Sequence, residues 1–132
     1  MGKILAFTNQ KGGTGKTTLS ANLAVLWSNS QYKVAVIDGD NQKSLSSWIE
    51  DRKKYYGEKD IGFDVHPYNS HSFGEDIKNI KRKYNFIIVD SPPSITYDTI
   101  QIIKNADRVF VPVQPSPIDL MATITFLNLT KK

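Results

Sequence analysis

The chain has 132 residues and a formal net charge of +4, with 39% hydrophobic and 23% charged residues. This length fits one domain, and the composition is ordinary for a globular protein. Because the sequence contains no cysteine, it excludes disulfides, thiolate metal sites and iron–sulfur clusters. It also contains no apolar run of about 18 residues, so it predicts no membrane-spanning helix.

Short apolar runs alternate with amphipathic segments along the chain. In chain order they predict a strand at 4–7, a helix at 17–28, a strand at 34–37, a helix at 43–55, a weaker strand at 62–66, a helix at 72–84, a strand at 86–90, a helix at 97–105, a strand at 108–113 and a helix at 118–128. Such alternation is typical of parallel strands joined by right-handed crossovers. We therefore predict one α/β domain over residues 1–132, a mostly parallel sheet with helices on both faces.

The spacing of large apolar residues predicts which helix faces are buried. Helix 17–28 is expected to pack through residues at helical spacing, namely Leu19, Leu23, Leu26 and Trp27. On the next helix, we expect Trp48 and the Tyr55–Tyr56 pair to be packing residues rather than platforms for stacking nucleic-acid bases.

A glycine-rich run follows the first predicted strand. Its residues are Lys11, Gly12, Gly13, Thr14, Gly15, Lys16, Thr17 and Thr18. Glycine has no Cβ, so backbone N–H groups can approach phosphate oxygens closely. In such a loop Lys16 reaches the β- and γ-phosphates, and the Thr17 hydroxyl coordinates Mg²⁺. The run therefore predicts a phosphate-binding loop of the P-loop NTPase type, although the usual spacing would place glycine where Gln10 stands.

Three aspartates, Asp38, Asp40 and Asp90, follow apolar strands. Because ligands bind at the carboxyl ends of parallel strands, we expect these side chains to converge with the glycine-rich loop. Asp90 closes four apolar residues, the Walker B arrangement, in which the carboxylate holds Mg²⁺ directly or through water. Any one of them alone could equally be a turn former or helix cap, but together with the loop they predict a Mg²⁺ and phosphate site.

Four segments together resemble the ParA/MinD superfamily of deviant Walker A ATPases. Residues 11–18 (KGGTGKTT) resemble its deviant Walker A motif, and residues 36–42 (VIDGDNQ) its D-x-D-P-Q element. Residues 88–94 (IVDSPPS) are similar to its D-x-P-P-S element, and 111–119 (VPVQPSPID) to the proline-rich stretch of small ParA-type plasmid partition ATPases. The matches occur in the family's order. One departure is Asn41, which replaces the usual proline and also forms turns readily.

The resemblance implies a role for each matching residue. Lys16 would bind phosphates within its own subunit, and Lys11 would reach the phosphates of the partner in an ATP-sandwich homodimer. Asp40 would orient or activate the attacking water. Asp38 would support the metal or the switch region, and Asp90 would hold Mg²⁺. The resemblance, rather than the lack of a guanine-binding N-K-x-D motif, assigns ATP as the nucleotide.

At the level of function, the resemblance implies a partition ATPase in the cytoplasm, on the nucleoid where DNA binding is retained. ATP binding would drive dimerisation and non-specific DNA association, hydrolysis would reset the protein, and a centromere-binding ParB-type protein would be its partner. Two alternatives stay open. One is a MinD-like membrane-cycling regulator, which needs a basic amphipathic C-terminal helix that the sequence does not show convincingly. The other is a nucleotide-binding remnant without turnover.

The resemblance also implies a longer protein. Family members continue beyond the last predicted helix, so we expect the chain to lack the family's C-terminal strands and helices and to be less stable than a full member. The basic clusters at 52–54 and 78–83 are expected to be solvated helix faces rather than the main DNA surface, since that surface would lie largely in the C-terminal part.

Overall fold

Strands and helices alternate along the described chain, as the sequence pattern predicts. The computed structural model describes residues 2–8, 16–40, 43–57, 61–92, 94–111, 124 and 128. Its strands are β1 (Lys3–Phe7), β2 (Val34–Asp38), β3 (Asp64–His66), β4 (Phe86–Asp90) and β5 (Arg108–Phe110). Its helices are α1 (Lys16–Asn29), α2 (Ser44–Tyr56), α3 (Phe73–Ile80) and α4 (Tyr97–Asn105).

The strands form one parallel sheet in the order β3-β2-β4-β1-β5. The central strand, β4, pairs with β1 on one side and with β2 on the other. Its last residue, Asp90, lies in register with Phe7 of β1 and with Asp38 of β2. Three strands therefore end at the same level, and the predicted α/β fold with a parallel sheet is confirmed.

Helices cover both faces of the sheet. Because side chains alternate along a strand, Leu5 and Phe7 pack on one face with residues of α1 and α2, whereas Ile4 and Ala6 pack on the other with α3 and α4. The central strands are consequently buried on both sides, which explains why their sequences are continuously apolar rather than alternating.

The buried face of α1 differs from the prediction. Leu19 and Leu26 are 38% and 58% exposed, while Leu23 and Trp27 pack only partly against the core. The fully buried residues of the helix are Lys16, Ser20, Ala21 and Ala24. The spacing of the largest apolar residues therefore gave the wrong centre for the buried face, because small side chains allow α1 to lie close to the sheet.

The last turn of α2 is also more exposed than predicted. Tyr55 is 81% and Tyr56 52% exposed, so the prediction that this pair packs is wrong. Trp48 is half-buried and stacks on Phe63, which confirms the packing role in part. The helix spans 13 residues, about 20 Å. The edge strand of the sheet, β3, has only three residues and a length of about 10 Å, so it is shorter than the helix.

Helix α3 ends at Ile80, four residues before the predicted end at Tyr84. Residues 81–83 form turns that lead into β4, and of the basic residues in this cluster only Lys78 lies on the helix. The predicted strand residues 112–113 lie outside the described residues. So does the predicted helix 118–128, apart from positions 124 and 128, which are helical. In the part of the chain that the structure describes, no helix is both long and apolar enough to cross a membrane.

Candidate functional site

A buried lysine lies at the carboxyl edge of the sheet, where β1, β2 and β4 end. Lys16 is the first residue of α1 and is 1% exposed. Its Nζ donates to Asp40 Oδ2 at 2.7 Å and to the carbonyl oxygen of Ser91 at 2.5 Å. The same atom lies 3.2 Å from Asp90 Oδ1. The structure thus brings together Lys16, Asp40 and Asp90, as the sequence predicts.

Asp90 is fully buried, and its carboxylate has unused hydrogen-bonding capacity. Lys16 stands at ion-pair distance, but among the described residues neither carboxylate oxygen has a hydrogen-bond partner of acceptable geometry. Burial raises the pKa of Asp90 to about 6; the lysine opposes this rise, and two neighbouring carboxylates add to it. Buried carboxylate oxygens without partners suit a hard cation such as Mg²⁺. The half-buried Thr17 follows Lys16 in the first turn of α1.

Asp38 holds the start of α2. Its Oδ1 accepts the Asp40 backbone N–H at 3.1 Å, and its Oδ2 accepts the Ser46 N–H at 2.9 Å and the Ser46 hydroxyl at 2.6 Å. The residue preceding the helix, Lys43, provides no side-chain cap. Asp38 therefore satisfies a backbone donor in the first turn that would otherwise lack a partner.

Gly39 fixes the distance between the ends of β2 and β4. Its N–H donates to the carbonyl oxygen of Asp90 at 2.7 Å. A Cβ added at this position would lie 3.0 Å from that oxygen and 3.2 Å from Ile102 Cδ1. The glycine thus permits a close approach of the two strand ends, which positions Asp38 and Asp40 relative to Asp90. The sequence signal for this approach is the glycine that separates Asp38 from Asp40.

Ser91 is a second residue that the sequence analysis missed. Its backbone N–H and its hydroxyl both donate to the carbonyl oxygen of Phe7, each at 2.9 Å. These bonds tie the end of β4 to the end of β1 and leave the Ser91 carbonyl to accept from Lys16. No side-chain pattern could have revealed this contact, because the interacting atom belongs to the backbone.

Part of the predicted site lies outside the described residues. This applies to Lys11, Gly12, Gly13, Thr14, Gly15 and Asn41. Thr18, the last residue of the predicted loop, is exposed in the first turn of α1. Within the described ranges, no group of three or more His, Cys, Asp or Glu side chains is arranged to hold a metal ion.

Sequence comparison finds a matching protein family and similar proteins. The model of the family described as the CobQ/CobB/MinD/ParA nucleotide binding domain matches residues 5–129. "Maintenance of carboxysome distribution protein A" of Halothiobacillus neapolitanus is 34% identical over 130 residues, covering 95% of this chain and 56% of that protein. "Sporulation initiation inhibitor protein Soj" of Bacillus subtilis is 30% identical, covering 99% of this chain and 66% of that protein. The chain thus spans between about half and two thirds of the length of these relatives.

Solved structures share the fold. A structure of pNOB8 ParA bound to nonspecific DNA superposes with a TM-score of 0.79 at 23% identity, covering 97% of this chain and 59% of that one. A structure of Cyanthece apo McdA gives a TM-score of 0.81 at 24% identity, covering 99% and 66%. This similarity extends over nearly all of the present chain.

Proposed function

Because the chain belongs to the CobQ/CobB/MinD/ParA nucleotide-binding family, we propose that it is the nucleotide-binding part of a ParA-type ATPase, which converts ATP and water to ADP and phosphate. The observation that carries the proposal is the buried Lys16, whose ammonium lies within 3.2 Å of both Asp40 and Asp90. A buried cation beside two carboxylates at the end of a glycine-rich loop is suited to bind phosphate.

Lys16 would exchange partners when nucleotide binds. In the present structure its ammonium neutralises Asp40 and contacts the Ser91 carbonyl. Phosphate oxygens carry more charge than a carbonyl and would compete for the same donor. As Lys16 turns to the phosphates, its bond to Asp40 would open. The Asp40 carboxylate would then accept a hydrogen bond from the attacking water and orient it.

The residues around the aspartates suit a Mg²⁺ ion. Thr17 and Asp90 would hold it, and the ion would neutralise charge on the transferred phosphate. We propose that Asp38, whose carboxylate already accepts three hydrogen bonds, supports the switch between Asp40 and α2. In this arrangement Asp38 acts on the site through the position of Asp40.

The wider cycle is proposed from the family. We propose an ATP-sandwich homodimer in which Lys11 reaches the partner's phosphates, a ParB-type partner protein, non-specific DNA association and a cytoplasmic location. DNA association is supported by pNOB8 ParA, which was solved bound to nonspecific DNA. The similarity to the carboxysome distribution protein favours a second candidate, positioning of a protein cargo.

Phosphate release tests the enzymatic part of the proposal. The chain is assayed with Mg·ATP, with and without duplex DNA, beside Lys16→Ala, Asp40→Ala and the surface control Lys53→Ala. We expect only wild type and Lys53→Ala to hydrolyse ATP. Asp40→Ala should bind nucleotide without hydrolysing it, and Lys16→Ala should neither bind nor hydrolyse it. Nucleotide binding by Lys16→Ala with unchanged affinity would overturn the assignment of the site. GTP competing as well as ATP would overturn the choice of nucleotide.

Sedimentation tests the dimer separately. We expect a non-hydrolysable ATP analogue to convert wild type, but not Lys11→Ala, from monomer to dimer. A Lys11→Ala chain that dimerises and hydrolyses ATP normally would rule out the trans role of this lysine. Retention of the chain on liposomes would instead favour the MinD-like alternative.

A further inference from the structure

A groove on the exposed side of α2 lies apart from the nucleotide site. It has a volume of about 340 Å³ and is lined by Trp48, Asp51, Arg52, Tyr55 and Tyr56. We refer to these five residues as the α2 groove. The opposite side of the helix is anchored in the core by Leu45 and Ile49. The groove therefore sits on a helix that is anchored in the core.

Aromatic rings form the walls of the α2 groove. Tyr55 and Tyr56 make an edge-to-face pair with centroids 4.8 Å apart, although they are 81% and 52% exposed. Trp48 stacks nearly parallel to Phe63, with an interplanar angle of 9°. Adjacent aromatic side chains that remain this exposed at the end of a helix add little to the core. They leave apolar ring surface exposed beside Arg52.

A fixed cation lies between these walls. The Nε of Arg52 donates to the Ile61 carbonyl oxygen at 3.1 Å. The guanidinium carbon lies 4.7 Å from the Tyr56 ring centroid and 5.8 Å from that of Trp48. Within the described residues its terminal nitrogens have no acceptor, and Asp51 has neither an ion pair nor a hydrogen bond. The groove thus offers oriented donors and one unpaired carboxylate.

We propose that the α2 groove binds a proline-rich protein segment in the polyproline II conformation, with a lysine or arginine beside the prolines. Such a segment makes no internal hydrogen bonds, so its carbonyl oxygens are free to accept from Arg52. Its proline rings pack against the exposed Tyr55 and Tyr56 rings beside Arg52, and aromatic-lined grooves are the sites by which such peptides are generally recognised. Asp51 supplies the complementary charge for the basic residue. This inference does not depend on the proposed ATPase activity.

Asp51 and Arg52 disfavour two other ligand classes. A nucleic acid would bring phosphates to Asp51 in the groove and to Glu50 beside it. A methylated ammonium group would have to displace Arg52, which already occupies the face of Tyr56. The proline-rich segment is the ligand that uses both the donors and the carboxylate.

Calorimetric titration of the whole chain with a decaproline peptide carrying arginine at both ends tests the proposal. Control peptides carry glutamate ends, or replace the prolines with glycine and serine. We expect Tyr55→Ala and Tyr56→Ala each to weaken binding roughly tenfold. Asp51→Asn should remove a preference of about threefold for arginine over glutamate ends. Tyr97→Ala, which removes a 67% exposed tyrosine on α4, is the matched control and should bind as wild type.

Four results would overturn the proposal. The first is no binding of the arginine-ended proline peptide at roughly millimolar concentration. The second is equal binding of the glycine–serine peptide, which would indicate charge attraction alone. The third is unchanged affinity in both tyrosine variants while circular dichroism shows them folded. The fourth is competition by oligothymidine that Tyr55→Ala abolishes, which would assign the groove to nucleic acid.

Discussion

Lys16 and Asp40, which are 24 positions apart in the sequence, form a buried ion pair of 2.7 Å. The same ammonium lies 3.2 Å from Asp90, so one cation serves two buried carboxylates. Removing one partner of a buried pair leaves uncompensated charge in a region of low polarity, which costs more than losing a surface ion pair. The cluster of Lys16, Asp40 and Asp90, which we propose to bind nucleotide, is therefore also a determinant of stability.

Lys16→Ala is expected to lower the free energy of unfolding of the nucleotide-free chain by about 3 kcal/mol. The physical reason is that Asp40 and Asp90 both lose their cation. Urea unfolding at neutral pH measures the change. Lys53→Ala is the control, because its 3.5 Å pair with Glu50 lies at the surface, and it should change stability by about 0.5 kcal/mol or less. Equal effects of the two substitutions would contradict the prediction.

Gly39→Ala is expected to destabilise the chain by about 2 kcal/mol, because the new methyl group would press on the Asp90 carbonyl and on Ile102. It should also weaken nucleotide binding, since the ends of β2 and β4 must separate. Thermal unfolding and nucleotide titration measure the two effects. In contrast, Gly74→Ala on α3 meets no atom within 4 Å and should be neutral or stabilising. A stable Gly39→Ala chain with normal nucleotide affinity would show that the close approach is not required.

Asp38→Ala is expected to lower the free energy of unfolding by about 2 kcal/mol in the presence of a chelator. The effect is independent of metal because Asp38 holds the first turn of α2. Ser46→Ala should lower the free energy of unfolding by less, since the backbone N–H of residue 46 still donates to Asp38. Combining both substitutions should cost less than their sum, by roughly 0.5 kcal/mol or more. Strict additivity in chemical denaturation would refute the capping role.

Asp107 predicts a pH dependence of stability. Its Oδ2 accepts the Ile4 N–H at 2.8 Å, and this bond, supported by Lys81 and Lys3, holds the pKa of Asp107 below its ordinary value. The stability that the ionised group contributes is therefore present above about pH 4 and lost as pH falls through the lower folded pKa. Asp107→Asn should destabilise the chain by roughly 1–2 kcal/mol at neutral pH.

The difference between Asp107→Asn and wild type should shrink as the pH falls below about 4. Urea unfolding at several pH values measures it. Asp51→Asn serves as the control, because the Asp51 carboxylate makes no hydrogen bond or ion pair within the described residues. Asp51→Asn should change the free energy of unfolding only slightly, and by nearly the same amount at every pH. A constant difference between Asp107→Asn and wild type at all pH values would contradict the assignment.

The sequence predicted those parts of the fold that depend on local pattern. Continuous apolar runs predicted the buried strands, and the sequence also predicted that Lys16, Asp40 and Asp90 meet at the carboxyl edge of the sheet. The burial of α1 was not predictable from the size of Leu19 and Leu26, because it depends on how closely the helix approaches the sheet. The close approach at Gly39 and the carbonyl contact of Ser91 involve backbone atoms, which leave little trace in side-chain patterns.

Surface features were the least predictable. The spacing of Trp48, Tyr55 and Tyr56 is compatible with packing, but in the structure Trp48 packs only in part and both tyrosines are exposed. Similarly, residues 81–83 continue the polar pattern of α3 but form turns, since the chain must reverse before entering β4. In both places the tertiary arrangement, rather than local propensity, decides the outcome.

The position of β4 between β1 and β2 has a consequence for how the protein folds during synthesis. The two earlier strands cannot pair with each other, because the place between them belongs to a strand that leaves the ribosome later. Until residues 86–90 emerge, both inner edges are unpaired and open to wrong partners. The β2–β3 pair precedes β4 in the chain, so we expect β1 to join these two strands, and Lys16 to reach Asp90, only after β4 has emerged.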